Sequence, residues 1–181
     1  MDISFFLSYP RPCFSRQEEF LVAMREYIKQ LDLTPRTLGV NEYDTNTPLT
    51  AIRRMMYESN GLLTIAFRRT LIKEGTARSG TDIAGQEEGS MNGVWLTSPW
   101  AQIEAAMAFQ LGLPILILRE KGVHADGILE KGIVGLYMPE FDLDQPVSKY
   151  FESPEWKQII SQWCHQARTV LIQKGQPPIR Y

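Results

Sequence analysis

At 181 residues, with 44% hydrophobic and 22% charged side chains, the chain has the length of one domain and the composition of a globular protein. A chain this long buries about 70% of its unfolded surface, which excludes a disordered chain, a collagen, a coiled coil and a disulfide-stapled mini-protein. The net charge is −2 and no basic run exceeds two residues (Arg53-Arg54, Arg68-Arg69), which argues against nonspecific phosphate neutralisation along a nucleic acid as the main activity.

Ile3 to Tyr9 is a short apolar and aromatic run that predicts a buried strand. Ser15-Arg16-Gln17-Glu18 reads as a capping box, with Ser15 at the cap, opening a helix whose apolar face is Phe20, Leu21, Met24, Ile28 and Leu31. Thr37 to Val40 is a weak candidate for the second strand. Asn41 to Thr47 is polar and turn-rich. Thr47-Pro48 places a cap before a first-turn proline, and Leu49, Ile52 and Met56 support a helix ending near Asn60-Gly61. Leu62 to Phe67 is a clear buried strand. Glu74 to Gly93 then holds five glycines and almost nothing to bury, which predicts a flexible surface insertion.

Ser98-Pro99 opens the next helix, Trp100 to Leu111, with Gly112 as its stop and Ile103, Met107 and Leu111 as its expected core face. Pro114 to Leu118 predicts a fourth strand and Leu136 to Met138 a fifth. Ser153-Pro154 caps a final helix with Trp156, Ile159, Ile160, Trp163, Val170 and Leu171 on one face, ended by Gly175 to Pro178. Strands alternating with amphipathic helices predict an α/β fold, a parallel sheet with helices on both faces. In such sheets ligands bind at the carboxyl ends of the strands. That directs attention to Tyr9 to Pro12, the Asn41–Thr47 loop, Phe67-Arg68-Arg69 and the start of the Trp100 helix.

The familiar chemical motifs are missing. There is no GxGxxG, no GxxxxGK[ST] and no GxSxG, and the only histidines, His124 and His165, lie near no second histidine; a single cysteine, Cys164, adjoins His165, too few ligands in sequence for a metal site. No metal is expected. Cys13 and Cys164 suit a reducing compartment. The N-terminus lacks the basic region of a signal peptide, and no apolar run reaches 18 residues. A cytoplasmic protein with no membrane or nucleic-acid partner is expected.

The sharp feature is Ser98-Pro99-Trp100-Ala101-Gln102-Ile103-Glu104. Trp100 and Glu104 share one helical face, and Ala105-Ala106 leave room around the carboxylate. A carboxylate beside an aromatic plane suits chemistry at a sugar anomeric carbon, where it stabilises or captures an oxocarbenium-like centre. From the spacing alone, a half-buried tryptophan and a solvated glutamate on an ordinary helix are the commoner reading. Arg11, directly after the first strand, suits a phosphate or plain solvent; Arg68 follows the third strand in the same way.

Together these residues resemble the Toll/interleukin-1 receptor (TIR) family. Phe6-Leu7-Ser8-Tyr9 is similar to the family's opening F-[IL]-S-[YH] box, and Ser98 to Glu104 to its S-x-W-x-x-x-E helix. The resemblance covers about residues 3 to 172. It implies a flavodoxin-like open parallel five-stranded sheet, with residues 1–181 as one TIR-like domain carrying the insertion at about 74–93. In the family's enzymes the helix glutamate cleaves the nicotinamide–ribose bond of NAD, which is the substrate, with no further cofactor. That implies Glu104 as the catalytic residue and Trp100, Tyr9, Arg11 and Tyr43 near the substrate, beside the strand-end residues Phe67 and Arg68. A free-standing domain of this size resembles the antiphage TIR proteins of Thoeris-type bacterial systems. Those make a cyclic or otherwise modified ADP-ribose signal for a separate effector protein, and the family implies a homo-oligomer on activation. Pro10 departs from the basic residue that some of these enzymes carry.

Two other readings remain open at this level. Glu104-Ala105-Ala106-Met107-Ala108 with Gly112-Leu113-Pro114 also resembles the nucleoside 2-deoxyribosyltransferases, whose helix carboxylate attacks an anomeric carbon. A TIR interaction module that only scaffolds would leave Glu104 incidental.

Overall fold

The computed structural model describes residues 3–135 and 138–172, with side chains to residue 170. Five strands form one parallel sheet, in the order β2 (Leu33–Arg36), β1 (Ile3–Ser8), β3 (Leu62–Ala66), β8 (Ile115–Glu120) and β9 (Glu140–Phe141). The chain steps from β1 outward to β2, then returns past β1 to build the other half, so the strand order reverses between β1 and β3. Strand residues alternate faces. Phe5, Leu7, Leu63 and Ile65 pack with helices α1 (Ser15–Lys29), α4 (Val147–Glu152) and α5 (Pro154–Ile172). Phe6, Leu62, Ala66 and Ile117 pack with α2 (Pro48–Glu58) and α3 (Pro99–Gln110) on the opposite face. This is the α/β architecture expected from the alternation of strands and helices.

The first core is aromatic. Phe20 stacks on Phe141 at 4.1 Å, and Trp163 meets Phe5 edge-on at 5.1 Å while donating to the Pro114 carbonyl at 3.2 Å. Gly61 sits under that tryptophan: a Cβ there would come within 3.1 Å of the Trp163 ring and 3.2 Å of the Pro114 carbonyl.

Several expected elements move. The second strand is Leu33–Arg36, not Thr37 to Val40, because buried Leu33 pairs with Ile3 in register. Pro35 is tolerated there because β2 is an edge strand. Thr37 to Glu42 instead form a turn through Gly39, whose φ is +75°. The cap of α1 is Phe14, not Ser15, and Gln17 rather than Glu18 folds back, accepting from the Cys13 N–H at 2.8 Å. The last sheet strand is Glu140–Phe141, set by the burial of Phe141; Leu136 and Tyr137 of the expected Leu136–Met138 strand lie outside the described residues. So do the Leu171 side chain and the stop at Gly175 to Pro178. Ser98 and Ser153 cap as expected, accepting from the N–H groups of Trp100 and Trp156.

Helix α3 faces the core differently from its pattern. Ala101, Glu104, Ala105 and Ala108 are buried, while Ile103 is exposed. A stripe of alanines lets the helix approach β3 closely; larger side chains on that face would hold it away. The glycine-rich segment is an antiparallel arm. Strands β4 (Thr70–Ile72) and β7 (Val94–Leu96) form its base, and β5 (Thr76–Ala77) and β6 (Gly89–Ser90) continue it outward. Backbone ladder bonds need no buried side chains, which is why the composition reads as a loop.

Candidate active site

Ser8 ends β1 on the face that carries Phe6, so its hydroxyl points at α3. Glu104, one turn into that helix beyond Trp100, comes down over it. Ser8 Oγ donates a hydrogen bond to Glu104 Oε2. The place is the carboxyl end of the sheet beside the β1–β3 reversal, where open α/β sheets form their binding crevices.

A cleft of about 560 Å³ opens there, walled by Tyr9 to Cys13, Thr37-Leu38, Arg69 and the first turns of α3. Glu104 is the only carboxylate among its lining residues and is 8% exposed. Burial pushes its carboxyl up to about 7, and the Ser8 hydroxyl pulls the other way by stabilising the anion. Near neutrality Glu104 is therefore divided between acid and carboxylate. Trp100 is 39% exposed and lines the same cleft. The arrangement offers one desolvated carboxylate, an aromatic surface and two cations, Arg11 and Arg69, in one hollow.

Beyond Tyr9 a second hollow of about 1000 Å³ lies between α1 and the Thr37–Val40 turn. It shares Tyr9, Arg11, Pro12, Thr37 and Leu38 with the first. Tyr9 stands between them, its hydroxyl accepting from Arg25 and its ring 5.6 Å from that guanidinium. The Thr37 hydroxyl donates to the Leu7 carbonyl at 3.0 Å and ties the turn to the end of β1.

Of the residues singled out in the sequence, Glu104, Trp100, Tyr9 and Arg11 come together in the cleft. Tyr43, Phe67 and Arg68 do not line it. Tyr43 is 77% exposed, with its hydroxyl donating to the Val40 carbonyl at 2.9 Å. Phe67 follows the parity of Leu63 and Ile65 into the aromatic core, where it is 0% exposed. Arg68 turns to the end of β8, donating to the Lys121 carbonyl at 2.6 Å and lying 3.7 Å from Glu120. Arg69 takes the place expected of Arg68, with Nη1 donating to Ser98 Oγ at 3.2 Å. Ser8 and Arg69 fall within the marked segments Phe6 to Tyr9 and Phe67 to Arg69 but are not among the expected site residues, and Thr37 lies outside every segment singled out as a binding location. Strand parity flags Ser8, two residues after inward Phe6; nothing local flags Thr37.

Cys13 and Cys164 are free thiols, the first exposed in the cleft wall and the second buried. Among the described residues no group of three or more His, Cys, Asp or Glu is placed to hold a metal ion, and no helix is long and apolar enough to cross a membrane.

No protein-family model matches the chain, and no curated protein matches it. Among solved structures the chain is similar to the Clostridium botulinum CMP N-glycosidase BcmB, with a TM-score of 0.49 and 9% identity over 88% of this chain and 98% of that one. It is also similar to the TIR domains of the activated Roq1 resistosome that directly recognises the pathogen effector XopQ, with a TM-score of 0.41 and 10% identity over 93% of this chain and 82% of that one.

Proposed function

We propose that the protein cleaves N-glycosidic bonds, and that its substrate is NAD. The observation that carries this is the buried Glu104 carboxylate, hydrogen-bonded by Ser8 and opening onto a cleft with Trp100 beside it. The C1′–N bond of nicotinamide riboside units breaks with its electron pair going to the ring nitrogen, so nicotinamide leaves neutral. No general acid is needed for that departure, and the cleft wall contains no histidine. The carboxylate form of Glu104 stabilises or captures the positive C1′ centre. Trp100 supplies a stacking surface for the departing ring. Water then attacks C1′ and loses a proton, giving ADP-ribose. Alternatively a hydroxyl or amine of the same molecule attacks, giving a cyclic product. Exclusion of water from the cleft by the bound substrate would favour the internal nucleophile.

The second hollow supports NAD over a nucleoside, because it gives room for the remainder of a dinucleotide past Arg11. The nucleoside 2-deoxyribosyltransferase-like reading uses the same carboxylate and would leave that hollow empty. In the NAD reading the active form is a homo-oligomer in the cytoplasm of a bacterium under phage attack, and the product acts on a separate effector protein.

The test is purified protein at high concentration with NAD, products identified by mass spectrometry, beside Glu104→Gln. Release of nicotinamide that falls by roughly a thousandfold in the folded variant is expected. Wild-type turnover in folded Glu104→Gln removes the role of Glu104. Base release from deoxynucleosides, with NAD untouched, replaces NAD by a nucleoside.

A further inference from the structure

Gln17 lies in the first turn of α1 and is 0% exposed, yet it does not line the cleft. Its amide oxygen accepts from the Cys13 N–H at 2.8 Å. Its amide nitrogen donates to the Arg68 carbonyl at 3.0 Å and to Glu120 Oε2 at 2.9 Å. That same carboxylate oxygen accepts the Arg68 N–H at 2.8 Å. Glu120 ends β8, is 4% exposed, and is also outside the cleft wall. Two buried polar side chains thus bind together the turn after β1, the turn after β3 and the end of β8.

Those two turns carry Arg11 and Arg69, the cations of the cleft. Neither arginine has a salt bridge among the described residues, so both charges are available to a ligand. Arg69 is fixed further by its N–H, which donates to the Leu96 carbonyl at 2.9 Å, and by its guanidinium on Ser98. Packing an amide and a carboxylate wholly inside a protein is weak evidence for stability, since apolar residues of the same volume often serve as well or better. What the pair does supply is register between two loops from different strands.

We propose that Gln17 and Glu120 are positioning residues that hold Arg11 and Arg69 on the wall of one cleft, where the two cations receive a phosphate or pyrophosphate group. They would then set the affinity for the anionic part of the substrate without touching it. The identity of that anion as part of the substrate rests on the function proposed above; the anion site itself does not.

The experiment is calorimetric titration of pyrophosphate into the full chain, with circular dichroism and melting curves for each variant. The wild type binds pyrophosphate. Gln17→Met and Glu120→Leu weaken binding by about tenfold, because a small loss of register misplaces both cations. Glu120→Gln keeps an oxygen for both N–H donors and stays within about twofold of wild type. Arg69→Ala, at an exposed position with no core to disturb, also weakens binding about tenfold. No pyrophosphate binding by the wild type overturns the proposal, as does wild-type affinity in Arg69→Ala or in folded Glu120→Leu. Nicotinamide release from NAD separates the two ideas. Pyrophosphate binding that responds to these variants, in a protein that cleaves no N-glycoside, rejects the proposed function and keeps the positioning pair. NAD cleavage that depends on Glu104, with pyrophosphate binding indifferent to the variants, does the reverse.

Discussion

A carboxylate buried at the end of a sheet with no cation against it is a destabilising choice, and Glu104 shows the sign of that cost. Its folded value of about 7 lies above the 4.5 of an unhindered glutamate. Between those values the folded protein keeps a proton that the unfolded chain has released, so stability falls as pH rises through that window. The loss is complete above about pH 7 and absent below about pH 4.5. Glu104→Gln keeps the Ser8 contact and removes the ionisation, so it should stabilise the protein by about 3 kcal/mol at pH 8 and by little at pH 5. Urea unfolding at the two pH values checks this; equal effects at both would reject it. Ser8→Ala removes the group that favours the anion, so Glu104 should rise further. If turnover needs the carboxylate, the rising limb of the pH–rate profile then moves alkaline while the plateau rate changes less.

At the scale of elements, the turn between β2 and α2 forms one wall of the cleft and is latched by charge. Arg36 pairs with Glu42 and with Glu58 of α2, each at 2.6 Å, and Arg54 reaches Asp44 at 2.9 Å and Glu58 at 2.8 Å. The Asn46 N–H, then Arg54 and the Asn46 amide, hold the Asp44 carboxyl down at about 2. The Glu42 carboxyl is lowered as well, chiefly by Arg36. These carboxylates stay ionised over the whole physiological range, so the latch weakens with salt rather than with mild acid. Arg36→Met should cost roughly 1 kcal/mol, at the upper end for a partly buried pair. It should also raise protease nicking between residues 39 and 47; an unchanged cleavage pattern would show that the turn is held by its backbone alone. Helix α3 shows the opposite device: its alanine face brings Glu104 onto Ser8 by close approach rather than by charge.

For the whole molecule, the cleft is open and half walled by loops. In the NAD reading the active form is an oligomer. Turnover per mole of protein should then rise with protein concentration, in step with the assembly seen by sedimentation velocity. A rate constant over a hundredfold range of concentration, with a monomer throughout, would mean that one chain is sufficient.

Legible in the sequence alone were the alternation of strands and helices, the apolar runs Ile3 to Tyr9, Leu62 to Phe67 and Pro114 to Leu118, the proline-marked helix starts, and the Trp100–Glu104 face. These are local matters of periodicity, capping and short spacing. Contacts between distant parts of the chain settled the rest. Leu33 became a strand because Ile3 was there to pair with it, despite Pro35. Phe141 was drawn into the sheet edge by Phe20. Arg69 rather than Arg68 reached the cleft because Glu120 and Lys121 hold Arg68 at the end of β8. The alanine side of α3, not its isoleucine, went inward because β3 left little room. Each of these depends on a partner far away in the chain, and local pattern carries no information about which distant partner a side chain will meet.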